Sequence, residues 1–261
     1  MLFGHVLVAE DNLINQEVVC EQLRRMGISS KIANNGSQAV AMVKEEAFDA
    51  VLMDIQMPVM DGYEATKHIR KSHPRLPIIA LTAAAMIEDQ HKALSVGMNA
   101  HLSKPINAKA LRDTLGLYLH HTKDQAVPAG ITPVEPTKTI AILDAPEGLE
   151  RMGDDKALYI RLLKTFLEQM PTQILPTLHA TRPLKRGKNA QAWEPFRREV
   201  HSLKGVAGNL SLHVLLEAST QLDAQIKEKH CATKAMIDAL HASLHASEEA
   251  IRKWLEKEEK A

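Results

Sequence analysis

Short apolar runs alternate with longer amphipathic stretches over the first 120 residues. Runs of four or five apolar residues are typical of buried strands, and apolar residues spaced three and four apart are typical of helices. Because each apolar run is followed by a helical stretch, the pattern predicts an α/β domain with a five-stranded, doubly wound parallel sheet. The predicted strands are His5–Ala9, Ser30–Ala33, Ala50–Met53, Pro77–Leu81 and Ala100–Leu102, and the predicted helices cover 13–26, 36–46, 61–71, 86–96 and 107–120.

The pattern changes after this first domain, for which we predict the limits 1–120. Residues 121–143 contain several prolines and little periodicity, which predicts a linker. From residue 144 onward the period of two is absent and apolar residues recur at helical spacing, as at Leu158, Leu162 and Phe166. We therefore predict an all-α helical bundle over 144–261.

Charge and composition give no general affinity for anionic partners. The chain has 32 basic and 32 acidic residues, so its overall charge attracts neither nucleic acid nor an anionic membrane. The longest apolar stretch, around Ile78 to Ile87, is interrupted by Thr82 and is shorter than the ~18–20 residues of a membrane span. The two cysteines form no Cys-x-x-Cys pair. We expect a cytoplasmic chain with no membrane segment and no nucleic-acid partner.

Three acidic residues follow predicted strands. Glu10 and Asp11 come directly after the first strand, and Asp54 comes after the third. The carboxyl ends of parallel strands lie along one edge of a sheet, where ligands bind, so these acids are expected to converge. Clustered carboxylate oxygens suit Mg²⁺. The adjacent Glu-Asp pair alone would equally fit a solvated turn.

A hydroxyl and an ammonium group are predicted at the same edge of the sheet. Thr82 closes the fourth strand, and Lys104 follows the fifth. Such groups beside a metal-bound carboxylate suit phosphoryl transfer, because the oxygens of a transferring phosphoryl group need donors and positive charge. Asp54 would then be the nucleophile. Taken alone, the threonine could simply end a strand and the lysine could be an ordinary surface residue.

Four separated segments of the first domain resemble two-component receiver domains, which have a flavodoxin-like fold. They are Val-Leu-Val-Ala-Glu-Asp-Asn at 6–12, Met-Asp-Ile-Gln-Met-Pro-Val-Met-Asp-Gly at 53–62, Leu-Thr-Ala at 81–83 and Ser-Lys-Pro at 103–105. The resemblance implies that Asp54 is the phosphoacceptor. It also implies a Mg²⁺ site with Glu10 and Asp11 as the acidic pair, Asp54 as a ligand and Gln56 as the donor of a backbone carbonyl, with Thr82 and Lys104 binding the phosphoryl group.

A histidine in the second domain lies on a predicted helix. At helical spacing, Phe196, Val200, Leu203, Ala207 and Leu210 form an apolar stripe, and His201 falls on the opposite side with Lys204 and Gly205. We therefore predict that His201 faces solvent. Lys204 at i+3 and Arg197 at i−4 are candidates to neutralise a phosphoryl group on the imidazole. A surface histidine without a role is the ordinary alternative.

The segment His-Ser-Leu-Lys-Gly-Val-Ala-Gly-Asn-Leu at 201–210 resembles the active helix of histidine phosphotransfer domains, abbreviated HPt. The resemblance implies that His201 is phosphorylated and that the domain is a helical bundle. Lys204, Gly205 and Arg197 would support the phosphohistidine.

Together the two resemblances predict a phosphorelay in which Asp54 and His201 exchange a phosphoryl group with the help of Mg²⁺. The arrangement resembles the C-terminal part of a hybrid sensor histidine kinase, so the expected setting is the cytoplasmic part of an inner-membrane sensor protein. The expected partners are an upstream kinase core and a downstream response regulator, besides contact between the chain's own two domains. No nucleotide-binding kinase core is recognisable in these 261 residues, so kinase activity would require a further domain.

Three alternatives stay open. The chain could be a free-standing relay adaptor. It could be a metal-dependent phosphatase that uses Asp54 as its nucleophile, although Gln56 stands where haloacid-dehalogenase-like phosphatases have a second aspartate. It could also be a scaffold that acts without phosphorylation.

Overall fold

The computed structural model describes residues 2–82, 87–121, 141–181 and 190–260. The chain divides into two compact units, Met1–Ile140 and Ala141–Ala261. Most of the predicted linker, 121–143, lies outside the described residues. The domain limits stay predictions, and each unit is described by itself.

The first unit contains the predicted five-stranded parallel sheet. The five strands are β2 (His5–Ala9), β3 (Ser29–Ala33), β4 (Ala50–Asp54), β5 (Ile78–Thr82) and β6 (Ala100–Ser103). They lie in the order β3-β2-β4-β5-β6, which is the 2-1-3-4-5 order of flavodoxin-like folds when the five strands are counted along the chain. The prediction of a doubly wound parallel sheet is confirmed, with strand ends that differ from the predicted ones by one residue at most.

Helices lie on both faces of this sheet. They are α1 (Leu13–Met26), α2 (Gly36–Glu45), α3 (Gly62–Ser72), α4 (Ile87–Ser95) and α5 (Ala108–Gly116). On one face, Leu7 and Val51 pack in a core with α2 and α3. On the other face, Val8 and Leu52 pack with α1 and α5. Burial on both faces explains why the central strands β2, β4 and β5 read as continuous apolar runs rather than as alternating ones.

A short strand pair was not predicted. The strands β1 (Leu2–Phe3) and β7 (His120–His121) pair antiparallel and form a separate two-stranded sheet. The helix predicted over 107–120 was therefore too long, since α5 ends at Gly116 and the chain extends again at His120. Two-residue strands contain too few positions for a period to be read.

The second unit is helical, as predicted. Its helices are α6 (Ala145–Arg151), α7 (Lys156–Gln169), α8 (Leu175–Thr181), α9 (Glu194–Asn209), α10 (His213–Lys229) and α11 (Lys234–Glu259), with a π-helical segment at Met170–Ile174 and a 3₁₀ turn at Ala190–Ala192. The largest fully buried side chains of this unit are Tyr159, Phe166 and Phe196. Among the described residues, no helix has the length and apolar character needed to cross a bilayer.

Candidate functional site

Three carboxylates meet at the carboxyl edge of the parallel sheet. Glu10 follows β2, Asp11 comes next in the chain, and Asp54 is the last residue of β4. Each offers an oxygen, and these oxygens all lie within 4.8 Å of one another. Glu10 is 1% exposed and Asp54 is 2% exposed. Because ionised carboxylates repel one another when buried together, this cluster requires positive charge close by.

Lys104 supplies that charge. Its Nζ atom donates to Glu10 Oε2 at 2.5 Å and to Asp54 Oδ2 at 2.7 Å, and its side chain is 5% exposed. Burial alone would lower the pKa of the Lys104 ammonium, but the carboxylates of Asp54 and Glu10 outweigh it and raise the pKa well above its ordinary value. The lysine is therefore a fixed cation inside the cluster.

Side chains from α1 hold Glu10 in place. Asn15 Nδ2 donates to Glu10 Oε1 at 2.9 Å, and Gln16 Nε2 donates to the Glu10 carbonyl at 2.6 Å. Asn12 caps the helix by accepting from the backbone N–H groups of Ile14 and Asn15. The sequence analysis missed Asn15 and Gln16. Both side chains are polar and yet at most 3% exposed. Their burial is visible only in the structure, so the sequence pattern alone did not single them out.

The loop after β4 passes close to Asp54. The backbone N–H of Gln56 donates to Asp54 Oδ1 at 3.3 Å, which brings the Gln56 backbone to the site as well. Gly62 begins α3, and a Cβ atom there would stand 2.2 Å from the Asp54 carbonyl oxygen. Any larger residue at 62 would therefore push the loop away from Asp54.

Thr82 lies at the same edge of the sheet. It is the last residue of β5, is 4% exposed, and its carbonyl accepts a hydrogen bond from the backbone N–H of Lys104 at 2.6 Å. The strand register places Leu81 beside Asp54 and Thr82 beside Ser103. The structure thus brings Glu10, Asp11, Asp54, Thr82 and Lys104 together at one edge.

The prediction that His201 faces solvent is wrong. His201 is 7% exposed, and its Nε2 atom is shielded from solvent without a hydrogen-bond partner among the described residues. A helical wheel assumes one packed face, but α9 contacts both α8 and α10. Buried residues therefore surround α9 on most sides, and Gly205 is among them.

An aspartate from α10 accompanies the buried histidine. Asp223 Oδ2 lies 3.4 Å from His201 Nδ1, and Asp223 Oδ1 accepts from Arg197 Nε at 3.1 Å. Burial alone would raise the pKa of the Asp223 carboxyl, but the hydrogen bond to His201 and the nearby charges of Arg197 and Lys204 hold the pKa below its ordinary value. The sequence analysis missed Asp223, which stands 22 residues beyond the histidine.

Arg197 and Lys204 both lie near the His201–Asp223 pair, but only Arg197 forms an ion pair with Asp223. Arg197 pairs with Asp223 and with Glu194, so its guanidinium is engaged by carboxylates. Lys204 is half-buried, and its burial lowers the pKa of the ammonium group. The negative charge of Asp223 acts in the opposite direction but does not outweigh the burial. The structure thus gathers His201, Asp223, Arg197 and Lys204 around one patch of the helical bundle.

Comparison with known proteins identifies both units. A family model described as the response regulator receiver domain matches residues 6–116, and the Hpt domain model matches residues 161–252. The chain therefore contains a receiver domain followed by an HPt domain.

Individual relatives agree with this assignment. The chain is 38% identical over 118 residues to the sensor histidine kinase RcsC of Salmonella typhi, covering 45% of this chain and 12% of that protein. It is 43% identical over 114 residues to hybrid signal transduction histidine kinase B of Dictyostelium discoideum, covering 39% of this chain and 6% of that protein. It thus spans only a small part of these curated relatives.

A solved structure is also similar. It is the receiver domain of a sensor histidine kinase from Pseudomonas aeruginosa, described with a magnesium ion coordinated in its active-site cleft. The sequence identity is 40%, the match covers 44% of this chain and 96% of that chain, and the TM-score is 0.42.

Proposed function

We propose that this chain passes a phosphoryl group between Asp54 of the receiver domain and His201 of the HPt domain, in a Mg²⁺-dependent relay. The observation that carries the proposal is the buried cluster of Glu10, Asp11 and Asp54, neutralised by Lys104 at the carboxyl edge of the sheet. A purely structural site would gain nothing from three carboxylates collected in one place, since they repel one another.

The residues of this cluster fit a magnesium ion. Mg²⁺ takes hard oxygen ligands at close range, and three carboxylate oxygens within 4.8 Å of one another provide them. Asp11 and Asp54 would bind the ion, Glu10 would complete the acidic set, and Gln56 would contribute its backbone carbonyl. When bound, the ion would neutralise charge on the oxygens of the transferring phosphoryl group.

The protein groups at Asp54 have separate tasks. A carboxylate oxygen of Asp54 attacks phosphorus, an O–P bond forms, and the bond from phosphorus to the donor's leaving group breaks with its electron pair. Lys104, which already lies 2.7 Å from Asp54 Oδ2, would donate to an oxygen of the arriving group. The hydroxyl of Thr82 would donate to another.

At His201 the neighbouring aspartate prepares the nucleophile. If Nδ1 carries the proton and donates it towards Asp223, the lone pair of the ring lies on Nε2, which is the atom that would attack phosphorus. Because Nε2 is shielded in this structure, the ring or its surroundings must move when a phosphoryl donor docks. We assign Arg197 to orienting Asp223, whereas Lys204 and Gly205 remain candidates for direct support of the phosphohistidine.

Replacement of Asp223 by asparagine should slow phosphorylation of His201 by about 10- to 100-fold, because the ring loses the charged partner that fixes its tautomer and orientation. The rate is measured with a phosphorylated receiver domain as the donor and the variant chain as the acceptor. Asp238→Asn, at an exposed position on α11, is the matched control and should leave the rate unchanged. An unchanged rate in Asp223→Asn would remove the aspartate from the mechanism.

The wider setting follows from the same proposal. The chain would act as the C-terminal part of a hybrid sensor histidine kinase, with a kinase core upstream and a response regulator downstream. We propose 1–120 as the receiver domain, 121–143 as the linker and 144–261 as the HPt domain. A linker over 121–143 would tether the two domains and so raise the effective concentration of each site at the other, which favours transfer within one chain.

The experiment that tests the function is labelling with radioactive acetyl phosphate and Mg²⁺. An aspartyl phosphate is lost in alkali, whereas a phosphohistidine is lost in acid and survives alkali. Labelled chains should contain both linkages, and a chelator should prevent both from forming. A chain that takes no alkali-labile label with Mg²⁺ present would not be an active receiver.

A further inference from the structure

Three side chains able to bind a metal ion meet in the helical unit, and none of them belongs to the group around His201. Asp144 caps the start of α6, Glu147 lies in its first turn, and His213 is the first residue of α10. His213 Nε2 lies 3.1 Å from Glu147 Oε2 and 3.9 Å from Asp144 Oδ2. One atom of each residue lies within 4.8 Å of the other two. All three side chains are between 29% and 38% exposed, so the cluster lies at the surface of this unit, although Glu147 Oε2 itself is shielded from solvent.

One oxygen of each carboxylate accepts a hydrogen bond within the helical unit, and the other oxygen lies towards His213. Asp144 Oδ1 accepts from the backbone N–H of Glu147 at 3.0 Å, and Glu147 Oε1 accepts from Arg151 at 2.6 Å. The remaining oxygens, Asp144 Oδ2 and Glu147 Oε2, are those closest to His213. The ligand atoms are therefore held by the structure before any ion arrives.

Glu147 Oε2 and His213 Nε2 lie close together without forming a hydrogen bond, although protonation of the imidazole would make the contact an ion pair. Glu147 Oε2 is shielded from solvent, yet it accepts no hydrogen bond from the described residues, although His213 Nε2 is only 3.1 Å away. An N–H group aimed at the oxygen would have formed one at that distance. Two ligands of a tetrahedral zinc ion lie about 3.3 Å apart, as bonds of about 2.0–2.1 Å require. The separation therefore fits two lone pairs that share a cation.

We propose that Asp144, Glu147 and His213 form a binding site for a divalent transition-metal ion of the Zn²⁺ class. One imidazole nitrogen and two carboxylate oxygens are the mixed donor set that suits zinc, whereas Mg²⁺ prefers oxygen ligands alone. Water would occupy the fourth position. Two negative charges on the ligands balance the charge of the ion.

The site joins segments that the fold already holds together. The backbone N–H of Asp144 donates to the Ser211 carbonyl in the turn between α9 and α10. Tyr159 donates to the Leu210 carbonyl, and Gly148 leaves room for that ring, since a Cβ atom at 148 would stand 2.3 Å from the Tyr159 hydroxyl. A bound ion would fasten α6 to the start of α10, directly after the helix that carries His201, and would stabilise this unit.

Titration of the intact chain with Zn²⁺ in a calorimeter, in excess Mg²⁺ to occupy the carboxylate cluster of the receiver domain, tests the proposal. We expect a site with a dissociation constant on the order of 1 µM. His213→Gln and Glu147→Gln should each weaken it at least about tenfold, because each removes one of three protein ligands. His245→Gln removes another histidine that stands beside a glutamate and should leave the affinity unchanged.

Glu147→Gln keeps an oxygen for Arg151, so it decides the question even if His213→Gln does not fold. Co²⁺ gives an independent readout, because its visible absorption should show a four- or five-coordinate ion in the intact chain and lose those bands in both variants. The melting temperature should rise with Zn²⁺ only where the site is intact. No Zn²⁺ binding by the intact chain, or full affinity in a folded variant, would overturn the proposal.

Discussion

Replacing Asp54 by asparagine is expected to reduce labelling of the chain by acetyl phosphate by at least about a thousandfold, because an amide oxygen is a poor nucleophile. Asparagine has nearly the same shape, and with its one side-chain oxygen towards Lys104 it keeps that hydrogen bond and loses only the 3.3 Å contact from the backbone N–H of Gln56. The fold should therefore survive, and circular dichroism checks it. The result is read as radioactivity per chain after a fixed labelling time.

A matched control separates Asp54 from other aspartates. Asp113 is an exposed residue on α5 of the same unit, and Asp113→Asn should be labelled like the intact chain. If Asp54→Asn kept an alkali-labile label, the phosphoacceptor would be another carboxylate.

Replacing Lys104 by methionine is expected to destabilise the receiver unit by about 3–5 kcal/mol in the absence of Mg²⁺, because two buried carboxylates lose the cation they share. Methionine keeps most of the apolar stem, so the change removes charge more than volume. Added Mg²⁺ should recover part of the loss, since an ion held by the same carboxylates restores positive charge there. The free energy of unfolding is measured by urea denaturation followed by circular dichroism.

The chain provides an internal control for this measurement. Its two tryptophans, Trp193 and Trp254, both belong to the helical unit, so the transition seen by their fluorescence should not move. Lys109→Met, at an exposed position on α5, should leave both transitions unchanged. A Lys104→Met chain as stable as the intact one, with and without Mg²⁺, would mean that the lysine does not neutralise the cluster.

The parallel sheet could be predicted because its physical cause is local. Strands buried on both faces need apolar residues at nearly every position, as in Val51–Leu52–Met53, and no tertiary detail is required to see such a run. The convergence of Glu10, Asp54 and Thr82 followed from one further rule, that the carboxyl ends of parallel strands share an edge. This rule could not predict which side chains form hydrogen bonds with one another within the site. The two contacts of Lys104 join residues that are 94 and 50 positions apart in the chain.

The environment of His201 could not be predicted from its own helix. The apolar stripe of α9 indicated one buried face, but the bundle covers the opposite side as well and provides Asp223 as a polar partner for the ring. A buried histidine is tolerated when such a partner exists, and nothing in the sequence near position 201 points to a residue on the next helix. The helical stretch predicted up to residue 120 failed for a related reason, since the pairing of β7 with β1 joins the two ends of the receiver unit.

The measurement that tests the central claim most directly is the order in which the two sites acquire label. The intact chain is mixed with radioactive acetyl phosphate and Mg²⁺, quenched at increasing times, and its label is divided into alkali-labile phosphate, which reports Asp54, and alkali-stable, acid-labile phosphate, which reports His201. We predict that label appears first on Asp54 and then on His201, and that Asp54→Asn leaves His201 unlabelled. A mixture of Asp54→Asn chains and His201→Gln chains shows whether transfer also runs between chains. Labelling of His201 at an undiminished rate in Asp54→Asn, or label that stays on Asp54 in the intact chain and in the mixture, would contradict the relay.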